Sequence, residues 1–129
     1  MFEGLSIKPE KKSSTILAGT AYFGNFILPL LAPLIIYFIS KNDRYVRFHA
    51  VQSFLIIWFV HLPIALIFGI VLAMQLTGGD MTFIFTAVCV FIAVVINLIF
   101  LLVGIFAVSG KTVIVPYPFI TDLAYKTTK

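Results

Sequence analysis

Three long stretches of this sequence contain no Lys, Arg, Asp or Glu, and they constrain the fold more than any other feature. They cover residues 13–40, 50–79 and 81–109. Each exceeds the roughly 20 apolar residues with which a helix crosses the hydrocarbon core of a bilayer. Only 11% of the 129 residues are charged, whereas soluble domains have about 25%. The sequence therefore predicts an all-α integral membrane protein, a polytopic bundle of transmembrane helices.

The first stretch contains several residues that interrupt a helix. Gly24 and Asn25 are followed by Pro29 and Pro33, and each proline removes a backbone donor and disrupts the turn before it. Two interpretations remain open from this pattern. The stretch is either one kinked span or a hairpin of two shorter helices, broken between Gly24 and Pro33.

The distribution of basic residues favours the hairpin, because Lys and Arg near membrane segments stay on the cytoplasmic side. A single first span would divide the nine basic residues six against three, whereas a hairpin places all nine on one side. They are Lys8, Lys11, Lys12, Lys41, Arg44, Arg47, Lys111, Lys126 and Lys129. We therefore expect a multi-pass protein of the cell membrane with both termini in the cytoplasm.

The predicted organisation is a single membrane domain over residues 1–129. Its parts are a cytoplasmic tail (1–13), a broken helical hairpin (14–40), a basic loop (41–49), a transmembrane helix (50–76), an external turn (77–81), a second transmembrane helix (82–109) and an interfacial tail (110–129). Tyr117, Phe119 and Tyr125 of the tail suit the headgroup layer, because aromatic rings there keep one edge in water.

The candidate intramembrane polar residues are Asn25, His61 and Asn97. An ionisable group inside a membrane is by default a functional hypothesis. His61 either takes part in ion or proton movement or is a neutral imidazole bonded to a carbonyl, such as one freed by Pro63. Asn97 lies on a helix-packing face, where an amide is more typical of contact between helices than of selectivity.

The strongest local signal is a basic and aromatic hinge, residues 41–52, which leads into the second stretch. Its candidate lipid- or partner-binding residues are Arg44, Tyr45, Arg47, Phe48, His49 and Gln52. Arg44 and Arg47 lie three residues apart, a spacing at which two guanidinium groups can hold one phosphate. The alternative is an anchor that fixes the depth of the helix through its arginines. His49 and Gln52 can equally satisfy carbonyls of the preceding hairpin.

Other classes of function find little support in the sequence. The basic residues lie outside the apolar stretches, which favours orientation and lipid contact over nucleic-acid binding. Cys89 is the single cysteine, so we expect neither an intramolecular disulfide nor a metal site there. We expect no enzyme and no cofactor, because the acidic residues are scattered and do not converge with a nucleophile or base. They are Glu3, Glu10, Asp43, Asp80 and Asp122.

The hinge sequence Arg44–Gln52, RYVRFHAVQ, closely resembles a motif of the Tic-twenty-like family. This family contains the plastid inner-envelope import component and its small bacterial and archaeal relatives. Residues 21–35 resemble its first apolar region and residues 110–118 its closing turn, so the resemblance covers about residues 16–125. It implies four helices with both ends on one side. The chain lacks the long N-terminal extension of the plastid members and therefore looks like a prokaryotic relative.

Two functional hypotheses follow. In the first, which the resemblance implies, the chain is a non-enzymatic component of a protein-translocation or transport pore. Four short helices cannot enclose a wide pore, so this role needs a homo-oligomer or a partner membrane protein. Small-residue stripes through Ala65 and Gly69 and through Ala93 and Gly104 permit such contacts. In the second, the chain is an accessory or scaffold subunit whose hinge binds membrane lipid headgroups or a partner membrane protein.

Overall fold

The computed structural model describes residues 7–77, 82–112 and 118–128, and all regular structure in these ranges is helical. The elements, in chain order, are α1 (Lys12–Phe23), a 3₁₀ turn (Gly24–Phe26), α2 (Leu31–Ile39), α3 (Arg44–Ile56), a π-helical turn (Ile57–His61), α4 (Leu62–Leu76), α5 (Thr82–Val108) and α6 (Pro118–Thr127). The prediction of an all-α protein is confirmed for the part of the chain that the structure describes.

The first apolar stretch is broken between α1 and α2. Leu30 has a φ of 67°, a conformation that a non-glycine residue adopts rarely and at a cost. The side chain of Asn25 holds this turn, because its Oδ1 accepts the Leu30 N–H at 3.1 Å. Pro33 lies in the first turn of α2, where the missing donor costs little. The start of α1 and the end of α2 line one pocket, so the chain reverses direction between them.

Both helices of this reversal are short. At about 1.5 Å per residue, the 12 residues of α1 and the 9 residues of α2 extend about 18 Å and about 14 Å, well short of a hydrocarbon core about 30 Å thick. Within the part of the chain that the structure describes, two helical segments are long and apolar enough to cross a membrane: Arg44–Leu76, with 33 residues, and Phe83–Val108, with 26.

The first of these long segments begins at Arg44, whereas the prediction had a basic loop up to residue 49. Asp43 explains the difference, because its side chain accepts the Val46 N–H at 3.1 Å and caps α3.

Further along, the helix widens into a π turn in which the Leu62 N–H donates to the carbonyl of Ile57. Pro63 follows immediately and has no N–H of its own to continue the regular ladder.

The core lies between α1, α3 with the π turn, and the C-terminal half of α5, and α2 and α6 pack against α3. Its largest fully buried side chains include Tyr22, Tyr45 and Phe48, and Phe100 and Ala107 of α5 close it from the other side. In contrast, no side chain of α4 is buried. The far halves of these helices, that is the C-terminal half of α4 and the N-terminal half of α5, contact each other. Their other apolar side chains are exposed.

Part of the predicted interfacial tail is helical. Helix α6 packs on α3 and buries Ile120, Thr121 and Ala124, while Phe119 remains exposed. It begins at Pro118, and the first position of a helix tolerates proline because no backbone donor is needed there. Residues 78–81 of the predicted external turn (77–81) and Tyr117 lie outside the described residues. The assignment of each segment to one side of a membrane stays a prediction.

Candidate functional site

A buried polar network joins α1 to α3. The hydroxyl of Tyr22 donates to Oε1 of Gln52 at 2.6 Å and lies 3.0 Å from Nδ1 of His49. A phenol has one proton, so Nδ1 of His49 donates in the second contact. Nε2 of His49 is then an acceptor, and it is buried without a hydrogen-bond partner. The three side chains are fully buried, so the predicted residues His49 and Gln52 are interior groups.

The same network extends to the C-terminal part of the chain. Nε2 of Gln52 donates to Oγ1 of Thr121 at 3.3 Å, which connects α3 to α6. The hydroxyl of Tyr45 donates to the carbonyl of Ala107 at 2.7 Å, which connects α3 to the end of α5. Phe48, the remaining aromatic residue of the hinge, is buried beside His49. The hinge therefore joins four helices at one end of the molecule.

A second group of hydrogen bonds fixes the chain reversal to α3. Nδ2 of Asn25 donates to the carbonyl of Ala21 at 2.9 Å and to Oγ of Ser53 at 2.6 Å. Ser53 in turn donates to the carbonyl of Ala21 at 2.7 Å. With Oδ1 on the Leu30 N–H, the Asn25 amide uses both its donors and its acceptor, as a buried amide requires.

The two arginines of the hinge contact different aromatic rings. The guanidinium carbon of Arg47 lies 4.6 Å from the ring centre of Tyr37, and its Nη2 donates to the Tyr37 hydroxyl at 2.5 Å. The guanidinium carbon of Arg44 lies 5.0 Å from the ring centre of Tyr125 in α6. Each arginine thus stabilises a contact between helices. The two guanidinium groups therefore have different neighbours, and a role for them as an anchor or as a lipid- or partner-binding site stays a prediction.

The three candidate polar residues of the apolar stretches lie around one cavity. It has a volume of about 110 Å³, and Asn25, His61 and Asn97 line it together with Phe26, Pro29, Ile57 and Phe100. Nδ1 of His61 is buried and has no hydrogen-bond partner. Ordered water supplies partners to such groups where a cavity is polar and roomy enough. The π turn forms part of its wall, and π turns are frequent at functional sites.

The predicted small-residue stripes have different surroundings. A Cβ atom added to Gly104 would lie 3.0 Å from Cβ of Tyr22 and 3.1 Å from Cζ of Phe23, so Gly104 permits the close approach of α1 to α5. A Cβ atom added to Gly69 would meet nothing within 4 Å. Gly104 of α5 is thus used inside the molecule, while Gly69 of α4 faces open space.

Sequence reasoning missed Tyr22, Ser53 and Thr121, which complete the two hydrogen-bonded groups. Tyr22 and Ser53 are polar residues within apolar stretches, and that signal was available. Thr121 lies in a mixed segment that gave none. Among the described residues, no group of three or more His, Cys, Asp or Glu residues could hold a metal ion, and Cys89 is partly buried in α5.

The fold and the buried hydrogen bonds define a small helical protein with two helices long and apolar enough to cross a membrane, braced at one end by polar side chains. Comparison with family models identifies its family. The model of the Magnetosome magnetite crystal formation protein family (MamF/MmsF) matches residues 10–124. The chain belongs to this family, a family of small magnetosome membrane proteins. No curated protein and no solved structure matched the chain.

The predicted membership of the Tic-twenty-like family is wrong, because the matching family is MamF/MmsF. The error has a physical cause. The resemblance depended on residues 44–52, and in this stretch Tyr45, Phe48, His49 and Gln52 are buried contacts between helices. Contacts of this kind describe how the helices are joined, and they carry no information about translocation.

Proposed function

We propose that this chain is a multi-pass protein of the magnetosome membrane that contributes, without catalysis, to the formation of magnetite crystals. The observation that carries the proposal is the family match over residues 10–124. In this proposal α3–α4 and α5 cross the membrane, α1 and α2 enter it from one side and return, and both termini lie in the cytoplasm. The basic residues near the start of α1 and α3 support this orientation.

The contrast between a hydrogen-bonded end of the molecule and an exposed apolar end supports a structural role. One end of the molecule is braced by the buried hydrogen bonds of Tyr22, Asn25 and Tyr45. The other end consists of the far halves of α4 and α5, whose apolar side chains contact little besides each other. In their most apolar windows only 17% of each long helix is buried. Such a surface suits lipid or another membrane protein.

A genetic experiment tests the proposal. In a magnetite-forming bacterium that lacks its own MamF/MmsF members, expression of this chain is expected to restore the size of the crystals seen by electron microscopy. The matched control is an exposed, conservative variant, Ile70→Leu, which should restore crystals equally well. Crystals that stay unchanged, although the protein is present in the membrane at normal abundance, would refute the proposed role.

A second candidate role is that of a scaffold that contacts another membrane protein or a copy of itself through α4. The specific observation is the open surface at Gly69, because small residues let a second helix approach closely in lipid. A photo-crosslinking residue at position 69 is expected to capture a protein. The same probe at Ala107, which is fully buried, should capture none. Probes at position 69 that label only lipid would contradict a scaffold contact there.

A further inference from the structure

Three short helices surround the first part of the long helix α3–α4. The start of α1 and the end of α2 line one pocket with the turn before α3, and Tyr125 near the end of α6 lies beside Arg44. At their other ends all three helices reach the π turn. The turn between α1 and α2 lines the cavity beside His61, and Phe119 at the start of α6 contacts an aromatic ring of the π turn.

Beyond the π turn, the surroundings of the long helices change. None of residues 62–76 or 83–99 is buried, and the buried side chains of α5 begin at Phe100. In the described residues, one half of the molecule therefore contains five helical segments, namely α1, α2, α3, α6 and the end of α5. We call it the wide half. The narrow half contains α4 and the N-terminal part of α5.

The boundary between these halves falls near the middle of a bilayer. At about 1.5 Å per residue, the 13 residues of α3 and the 5 of the π turn extend about 27 Å, and the 15 residues of α4 extend about 22 Å. A bilayer with its headgroups is about 40–45 Å thick, so one leaflet measures about 22 Å. In the proposed topology, in which α3–α4 and α5 cross the membrane, the wide half therefore occupies one leaflet and the narrow half the other.

The charged residues indicate which leaflet this is. Lys12, Lys41 and Arg44 lie at the outer end of the wide half, whereas residues 62–76 and 83–99 contain no charged side chain. Basic residues beside membrane helices stay on the cytoplasmic side. The wide half therefore belongs in the cytoplasmic leaflet of the proposed topology.

We propose that this chain acts as a wedge that favours curved membrane in which the cytoplasmic leaflet is convex. Five helical segments take up more area in that leaflet than two helices take up in the other. In a curved bilayer the convex leaflet has the larger area, so it accommodates the wide half. Helices that insert into one leaflet are sensitive to curvature for the same reason. A vesicle that lies within the cytoplasm has this sense of curvature.

Sorting of the full chain between flat and curved membrane tests the proposal. Two variants carry one cysteine each, Asn42→Cys in the wide half and Thr77→Cys in the narrow half, and both positions are exposed. Cys89→Ala removes the native thiol from both. Each variant is reconstituted into giant vesicles of phosphatidylcholine and phosphatidylglycerol and labelled from outside with a membrane-impermeant thiol dye. The dye marks only those molecules whose labelled half faces outwards.

A thin membrane tube is then pulled from each vesicle, and its outer leaflet is convex. The measurement is the ratio of protein dye to lipid dye in the tube relative to the vesicle. Molecules labelled at position 42 should be enriched in the tube about twofold and those labelled at position 77 depleted about twofold, which corresponds to about 0.4 kcal/mol in each direction.

Equal partition of both labels would overturn the proposal, because lipid or a second copy would then fill out the narrow half. Sorting of both labels in the same direction, or in the reversed order, would also overturn it. The labelling tests the topology separately. The fractions labelled from outside at the two positions should add up to the whole that is labelled in detergent.

Complete labelling from outside at both positions would show that the long helices do not cross the membrane, and it would overturn the proposed topology together with the wedge. Complementary labelling without sorting would overturn the wedge alone. Neither result concerns magnetite, so the role in crystal formation keeps its own test.

Discussion

The Tyr22 hydroxyl donates to Oε1 of Gln52 at 2.6 Å, across 30 positions of sequence, and this contact joins the first helix to the third. Nδ1 of His49 lies on the other side of the same hydroxyl. A membrane interior offers no water to replace such a bond. Helix α1 has no pronounced apolar face that would fix its rotation against α3. The hydrogen bond between Tyr22 and Gln52 therefore helps to fix it.

Removal of that hydroxyl tests its importance. Tyr22→Phe removes the hydrogen bond to Gln52 and leaves Nδ1 of His49 buried without its acceptor, and we expect a loss of about 1–3 kcal/mol in the free energy of unfolding. The measurement is thermal or denaturant unfolding in detergent. Tyr37→Phe is the matched control, because its bond to Arg47 is only partly buried and its loss should cost less. Equal effects of both variants would contradict the role of Tyr22.

The left-handed conformation of Leu30 gives a second prediction. Leu30→Gly and Leu30→Ala both remove the side chain, so they lose similar packing. Glycine adopts a positive φ without the cost of about 1 kcal/mol that alanine incurs. The glycine variant should therefore be the more stable of the two in detergent unfolding, the reverse of the usual order. An alanine variant that is equally or more stable would contradict the conformation at this position.

The two glycines of the long helices should respond oppositely to substitution by alanine. Gly104→Ala places a methyl group against Tyr22 and Phe23 and should destabilise the protein by about 1–3 kcal/mol through overpacking. Gly69→Ala meets nothing and should stabilise α4 by up to about 1 kcal/mol through its higher helix propensity. The measurement is the unfolding midpoint of the two variants beside the parent. The packing of α1 on α5 would be contradicted if both substitutions had the same sign.

The cavity around His61 does not resemble a conduit. Its volume of about 110 Å³ is small, and α1 and α2 are too short to enclose a path across the membrane. We therefore expect purified protein in liposomes to leave them tight to ions, and His61→Leu and Asn97→Leu to change nothing in this assay. An ion flux that rises with protein density and falls in either variant would show that the cavity is part of a pathway.

Much of the fold followed from the sequence because its strongest signals are physical ones. The two long apolar helices were predicted from the length of the second and third uncharged stretches. The break in the first stretch agrees with the positions of Gly24 and Pro29. The start of α3 at Arg44 was missed, because a cluster of charges suggested a loop and the cap at Asp43 was not weighed against it. Helix α6 was missed because its partner on α3 is distant in sequence.

The candidate site was predicted one residue at a time and not as an arrangement. Asn25, His61 and Asn97 were each identified as polar groups in apolar surroundings, but the sequence did not show that they surround one cavity. Arg44 and Arg47 looked like a pair because they are near in sequence. The structure gives each a different aromatic partner, Tyr125 and Tyr37, because contacts between helices determine where a long side chain rests.

The most direct test of the central claim is the location of the chain in a magnetite-forming cell. Tagged protein should be recovered with magnetically isolated magnetosomes and should stay in their membrane after extraction with alkaline carbonate, because two long apolar helices hold it in lipid. Ile70→Leu serves as the conservative control and should behave identically. Recovery of the chain outside the magnetosome fraction, or its release by carbonate, would contradict the proposal that it is an integral protein of that membrane.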